Sequence, residues 1–283
     1  MSSIERLGVV GAGQMGGGIV EVAMRAGVDV VMVDVSEEAV NAGEMRLRSS
    51  LDRAVDRGKA TAEERDAALA MLTTATDLDA LADRQLVIEA VIENESIKAE
   101  VFGRLDHLLD GEAILASNTS SIPIVTLARS TRRIDRFVGM HFFNPVPVMK
   151  LVEIIPAVTT SDETVAAAKA FGERLGKTAI VAPDRAGFVV NALLVPYLLD
   201  AIRFYEAGNA TKEDIDTGMQ LGAAHPMGPL TLCDLIGNDV MLMVAESLYD
   251  EFRETRMAPP PLLRRMVSAG LLGRKTGEGF YRY

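Results

Sequence analysis

Residues 9–20 read VVGAGQMGGGIV. Gly11, Gly13 and Gly16 carry the G-x-G-x-x-G spacing, follow an apolar run directly and open a helical pattern. Glycine loses the most backbone freedom on folding, so such a cluster calls for a turn where a Cβ would clash or for close approach of a ligand. Between a strand and a helix, Gly11 allows the tight turn and Gly13 lets a pyrophosphate approach the backbone. Gly16 lets the helix pack on the sheet, and Gln14 and Met15 fill the first turn between them. The phosphates then meet free N–H groups and a favourable dipole at the helix N-terminus. A second β-rich run, VDVVMVDV (28–35), carries Asp34 at its end. An acid there accepts hydrogen bonds from both hydroxyls of an adenosine ribose and repels a 2′-phosphate. No Arg or Lys follows Asp34 for eleven residues. The chemistry is therefore dinucleotide binding, with NAD favoured over NADP. Gly17 and Gly18 are expected to pack closely beneath the cofactor.

The surrounding pattern supplies the elements such a turn needs. LGVV (7–10), VDVVMVDV, LVIEAVIE (86–93), AILASN (113–118), FVGMHFF (137–143), LVEIIP (151–156) and TAIVAP (178–183) read as strands. The first helix closes at Gly27. Ser36 caps a long charged helical region that runs to about residue 70, with Glu37 and Glu38 in its first turn and a hairpin near Gly58. Further helical patterns cover 96–109, 121–128 and 162–175. Val- and Ile-rich strands separated by helices indicate a parallel sheet covered on both faces. Beyond residue 184 the pattern is helical over 187–207, 211–221, 228–256 and 259–270, with no clear β run until the last few residues. The expected fold is α/β. A Rossmann-type, doubly wound, mostly parallel sheet occupies 1–184, and an all-helical domain occupies 185–283. APDRAG (182–187) is the junction.

Composition narrows the partners. The 283 residues are 48% hydrophobic and carry a net charge of −11, which excludes the clustered cation surface of a nucleic-acid binder. The single cysteine, Cys233, allows no internal disulfide and no thiolate metal site, and no metal is expected. Glu5 and Arg6 stand just before the first strand, leaving no room for a signal peptide. The longest apolar stretch, FVVNALLVPYLL, is interrupted by Asn191 and Pro196 and is too short to span a bilayer. The chain reads as cytoplasmic.

At SNTSS (117–121) and HFFNPVPVMKLVEII (141–155) the chain resembles the short-chain 3-hydroxyacyl-CoA dehydrogenases, above all the bacterial enzymes acting on 3-hydroxybutyryl-CoA. The similarity runs through IEAVIENESIK (88–98), DRAGFVVNALLVPYLLDAI (184–202), HPMGPLTLCDLIG (225–237) and GRKTGEGFYRY (273–283). It implies hydride transfer between NAD and C3 of a 3-hydroxyacyl-CoA, with (S)-3-hydroxybutyryl-CoA and acetoacetyl-CoA as the substrate pair, in butanoate and fatty-acid metabolism. By resemblance His141 is the catalytic base, Glu153 its paired acid, and Ser120 and Asn191 are donors to the substrate oxygen. Imidazole suits the task because it accepts and returns a proton near neutrality. A carboxylate on its other nitrogen fixes the tautomer and stabilises the imidazolium. His141 stands near the end of one strand and Glu153 in the next, so the two can face each other.

The same resemblance places Glu93, Lys98 and Asn144 near the cofactor's ribose and nicotinamide, and Lys275 near the cofactor region. Ser50 and Arg57 match contacts to CoA, with Arg57 where relatives carry a lysine. The residue after Asn191 is Ala192, where many relatives have a basic side chain. The helical domain would form a homodimer and the site would lie between the domains. Two other readings fit the fold. A free 3-hydroxyacid dehydrogenase would rely on a lysine in the helical domain, which the His141–Glu153 pairing and SNTSS argue against. A catalytically inactive dinucleotide-binding structural or sensor protein would keep the fold alone, whereas Ser120, His141, Glu153 and Asn191 are all retained.

Overall fold

The computed structural model describes residues 3–283. They fall into two compact units, one ending at Asp184 and the other spanning Arg185–Tyr283. The first unit begins with β1 (Arg6–Val10), α1 (Gln14–Arg25), β2 (Asp29–Val33), α2 (Glu37–Asp56) and α3 (Ala62–Leu69). Then come β3 (Leu72–Ala75), β4 (Leu86–Glu89), α4 (Glu95–Leu108), β5 (Ile114–Ser117) and α5 (Ile124–Ala128). It ends with β6 (Phe137–Phe142), β7 (Leu151–Pro156), α6 (Asp162–Arg174) and β8 (Thr178–Val181). The strands form one sheet in the order β3-β2-β1-β4-β5-β6-β7-β8. Every neighbouring pair is parallel except β6 and β7, which run antiparallel.

The central strands are buried on both faces, the pattern expected of a sheet with helices on each side. Leu7, Val9, Val30, Met32, Leu86 and Ile88 stand in one core with Ile19, Ala23 and Met24 of α1. Helix starts follow side-chain caps. Ser36 Oγ accepts from Ala39 N, Thr61 and Glu64 form a reciprocal capping box, and Asn94 and Ser161 cap α4 and α6. The chain turns near Gly58, at φ 65°, between α2 and α3.

The structure corrects the sequence reading in three places. The four-residue edge strand β3, LTTA, follows a helical region that masked it, and its side chains are mostly half-buried. The strand expected over 86–93 stops at Glu89, and Glu93 stands in the following loop. The helix expected over 228–256 is two helices, broken at Gly237, whose φ of 103° no helix accepts.

The second unit contains α7 (Val190–Glu206), α8 (Lys212–Gly222), α9 (Pro229–Ile236), α10 (Asn238–Phe252) and α11 (Pro261–Ser268). Its core gathers Leu198, Leu199, Ile202, Leu230, Met241, Leu248 and Leu263. Two buried carboxylates organise it. Asp216 accepts from Leu230 N and Thr231 N at the start of α9. Asp234 accepts from Phe280 N and Tyr281 N and so ties down the end of the chain. No helix of the described residues is long and apolar enough to cross a membrane.

Candidate active site

The antiparallel turn from β6 to β7 sets His141 directly opposite Glu153. Directly opposed residues on one face of such a pair stand within reach of each other. His141 Nδ1 lies 2.7 Å from Glu153 Oε2, and both side chains are buried. The other ring nitrogen, Nε2, lies 3.1 Å from Ser120 Oγ. The ring of Phe143 packs against the imidazole at a centroid distance of 4.7 Å. An ionised carboxylate only accepts, so Nδ1 carries the hydrogen and Nε2 presents its lone pair towards Ser120.

Ser120 belongs to the loop after β5, and Glu93 holds that loop. Glu93 Oε1 accepts from Thr119 Oγ1 at 2.6 Å, from the backbone N–H of Ser120 and Ser121, and from Ser121 Oγ. Burial opposes ionisation of Glu93, but the Lys98 ammonium and these donors together hold its carboxyl below the usual range. Lys98 is buried with its Nζ 2.6 Å from Glu89 Oε1 and 3.2 Å from Glu93 Oε2. Glu89, the last residue of β4, also accepts from Ser117 Oγ at 2.6 Å. Lys98 is thus occupied in holding two carboxylates. The α5 start is capped by Asp184, which accepts from Ile124 N and Val125 N.

At the glycine turn, Gly11 has φ 108° and a Cβ on Gly16 would lie 1.8 Å from Gly11 O, so neither position accepts a side chain. Gly13 is exposed, with nothing within 4 Å of where its Cβ would stand. It caps α1 without a side chain, leaving the first N–H groups of the helix for an anion. Asp34 Oδ2 accepts from Ala12 N and Oδ1 from Val35 N, each at 2.7 Å. The carboxylate is pinned beside the turn and each oxygen keeps a lone pair for a ribose hydroxyl. An open cradle at Gly13 beside a fixed acid fits a dinucleotide. The expectation for Gly17 and Gly18 needs correction. A Cβ on Gly18 would meet Val146 Cβ at 2.8 Å, so the space is filled by the chain itself, and Gly17 has nothing within 4 Å.

A groove of about 810 Å³ runs past this turn, walled by Gly13, Gln14, Ser50, Arg53, Asn144 and Pro147 among others. Gln14 Nε2 donates to Asn144 Oδ1 at 3.0 Å. Arg46, also in the wall, donates to Ala12 O at 2.7 Å. Met15 is half-buried in the first turn of α1.

Two family models match the chain. The NAD binding domain of 3-hydroxyacyl-CoA dehydrogenase covers residues 6–185 and the C-terminal domain of the same enzyme covers residues 187–283. The chain belongs to the 3-hydroxyacyl-CoA dehydrogenase family. It is an NAD-dependent oxidoreductase on a Rossmann-type fold. A 3-hydroxybutyryl-CoA dehydrogenase of Mycobacterium tuberculosis is 54% identical over 99% of both chains. The human mitochondrial hydroxyacyl-coenzyme A dehydrogenase is 42% identical over 99% of this chain and 91% of its own. The crystal structure of an (S)-3-hydroxybutyryl-CoA dehydrogenase from Ralstonia eutropha superposes with a TM-score of 0.96, at 48% identity and 99% coverage of each chain.

Within the first unit, the dehydrogenase brings His141, Glu153, Ser120 and Glu93 into one hydrogen-bonded chain, and Gln14, Asn144 and Ser50 onto one groove. Arg57 is exposed at the C-cap of α2 and does not wall that groove. Asn191 and Lys275 belong to the second unit. Asn191 is half-buried in the first turn of α7, and Lys275 Nζ donates to Asp239 Oδ2 at 2.6 Å. Sequence reasoning missed Arg46, Ser49 and Arg53 in the wall. They share one face of α2 with Ala42, a helical spacing visible in the sequence. It also missed Glu89, a carboxylate hidden in an apolar strand.

Proposed function

We propose that the chain interconverts 3-hydroxyacyl-CoA and 3-oxoacyl-CoA, with (S)-3-hydroxybutyryl-CoA and acetoacetyl-CoA as the preferred pair. The observation that carries this reading is the buried His141–Glu153 pair with Ser120 on the second ring nitrogen. Bound NAD supplies the hydride acceptor for oxidation and, reduced, the hydride donor for the reverse. His141 Nε2 takes the proton of the 3-hydroxyl as the C3–H bond breaks, and the imidazolium so formed is stabilised by Glu153. In reduction the imidazolium returns that proton to the oxygen on C3. Ser120 Oγ fixes that oxygen against Nε2 as a hydrogen-bond donor. Asn191 is assigned a like role on the family resemblance alone.

Asp34 binds the adenosine ribose, and the turn at Gly11, Gly13 and Gly16, with Gln14 and Met15, receives the pyrophosphate. Glu93 and Asn144 stand on the nicotinamide side, Lys98 holds Glu93, and Lys275 keeps its family assignment to the cofactor region. Ser50 in the groove wall and Arg57 beyond it bind the CoA moiety, with Arg46 and Arg53 adding cations suited to its phosphates. Self-association through the second unit is supported by the exposed Leu193, Phe204 and Leu221. Homodimer formation, a cytoplasmic location and a part in butanoate and fatty-acid metabolism complete the proposal.

The test is the rate of nicotinamide oxidation with acetoacetyl-CoA, run in parallel with NADH and NADPH. The reading requires fast turnover with NADH. Absence of turnover from folded protein that binds NADH would reject the substrate assignment, and turnover with NADPH alone would reject the part given to Asp34.

A further inference from the structure

The connection from Phe143 to Lys150, between β6 and β7, carries Asn144 and supplies the groove wall at Pro145, Val146 and Pro147. Pro145 and Pro147 have no N–H to give, so the segment can hold itself only in part. Val148 N and Met149 N both donate to Pro145 O. The carbonyls of Val146 and Met149 share one side-chain donor. Lys177, the residue before β8, directs its Nζ to Val146 O at 2.5 Å and to Met149 O at 2.8 Å.

This lysine is buried, an uncommon place for an ammonium without close pairing. Its burial pulls its pKa down, with Glu21 drawing it partly back up. Glu21 is itself buried and lines the same groove. Val146 also rests on the bare backbone at Gly18 of α1, as the 2.8 Å approach of a Gly18 Cβ shows. The segment is therefore held by an ammonium through its carbonyls and seated on a glycine through Val146. Its outer end, Asn144, is bonded to Gln14 at the glycine turn.

We infer that Lys177 is a positioning residue for cofactor binding: it pins the 143–150 connection at Val146 and Met149 and thereby sets Asn144 against Gln14. Gly18 serves the same end by admitting Val146. Neither touches the reacting atoms. The inference rests on the assignment of Asn144 to the cofactor site made above.

The experiment is a double-mutant cycle on the full-length protein, reading NADH dissociation constants by fluorescence in Lys177→Met, Asn144→Ala and the double variant. Loss of a buried, hydrogen-bonded group that orders a binding residue should weaken NADH about tenfold in each single variant. Because Lys177 acts through Asn144, the double variant should bind no more weakly than Asn144→Ala alone. Gly18→Ala, whose added methyl presses on Val146, should also weaken NADH, and it carries the test if Lys177→Met does not fold. Lys177→Arg, which keeps the charge and donors, should recover part of the loss. Weakened NADH in Asn144→Ala beside wild-type affinity in folded Lys177→Met and Gly18→Ala would overturn the inference alone. Losses that multiply in the double variant would also overturn it. Wild-type affinity in Asn144→Ala would remove Asn144 from the cofactor site, and with it the assignment on which the inference stands.

Discussion

Glu153→Gln is the sharpest perturbation of the proposed chemistry, because it removes a charge and leaves the shape. Glu153 Oε2 lies 2.7 Å from His141 Nδ1, with both side chains shielded from water. When His141 holds the substrate proton, an imidazolium faces a carboxylate. With charge centres about 4 Å apart and an effective dielectric of about 20, their attraction is about 4 kcal/mol. Losing it where charge develops costs about 10³ in kcat. The amide adds a second fault. Its NH₂ can donate to Nδ1, which puts the hydrogen on Nε2 and removes the lone pair that must accept the 3-hydroxyl proton. The assay is kcat for 3-hydroxybutyryl-CoA oxidation at saturating NAD, with NADH affinity and thermal unfolding measured on the same preparation. The reasoning requires a large fall in kcat with NADH affinity unchanged. A kcat close to wild type in folded Glu153→Gln would refute it.

Three further outcomes follow from the geometry. Asp34→Ala should weaken NADH about tenfold or more and NADPH by less. Part of the loss is shared, since the carboxylate also holds Ala12 N, and equal losses in titrations of the two cofactors would reject Asp34 as the discriminator. Asp106 at the end of α4 is buried, which opposes its ionisation, yet hydrogen bonds from Arg133 and Arg132 hold its carboxyl below the usual range. A lowered folded pKa contributes stability above the unfolded value of about 4 and loses it as pH falls through the folded one. Asp106→Asn should therefore cost about 1–3 kcal/mol at neutral pH in denaturant unfolding, with the gap to wild type closing in acid; a constant gap would contradict the assignment. Burial pushes the Cys233 thiol far up, so iodoacetamide should label it only through unfolding, and prompt labelling of native protein would contradict its placement.

The glycine turn and Asp34 were legible in the sequence because each is a local demand of backbone geometry or charge. The facing of His141 and Glu153 was legible as a possibility. What decides it is the reversal at β7, which places the two in register and which depends on the connection through Asn144–Lys150. The break at Gly237 was hidden because the sequence on either side continues a helical pattern, and only the backbone angle ends it. In sequence Lys98 stood near the cofactor by resemblance alone, and Lys177 carried no signal. Both are buried, because each ammonium meets groups brought together by tertiary structure: two carboxylates for Lys98, two loop carbonyls for Lys177. Glu89 was hidden for the same reason, as its partners come from α4 and β5.

The central claim is that His141 moves the proton while other residues hold the cofactor. Single-turnover oxidation of prebound NADH by acetoacetyl-CoA, in wild type and His141→Ala, tests it most directly. The account predicts a rapid phase in wild type that is lost in His141→Ala, with the same NADH affinity in both. A rapid phase of wild-type rate in the variant would contradict it.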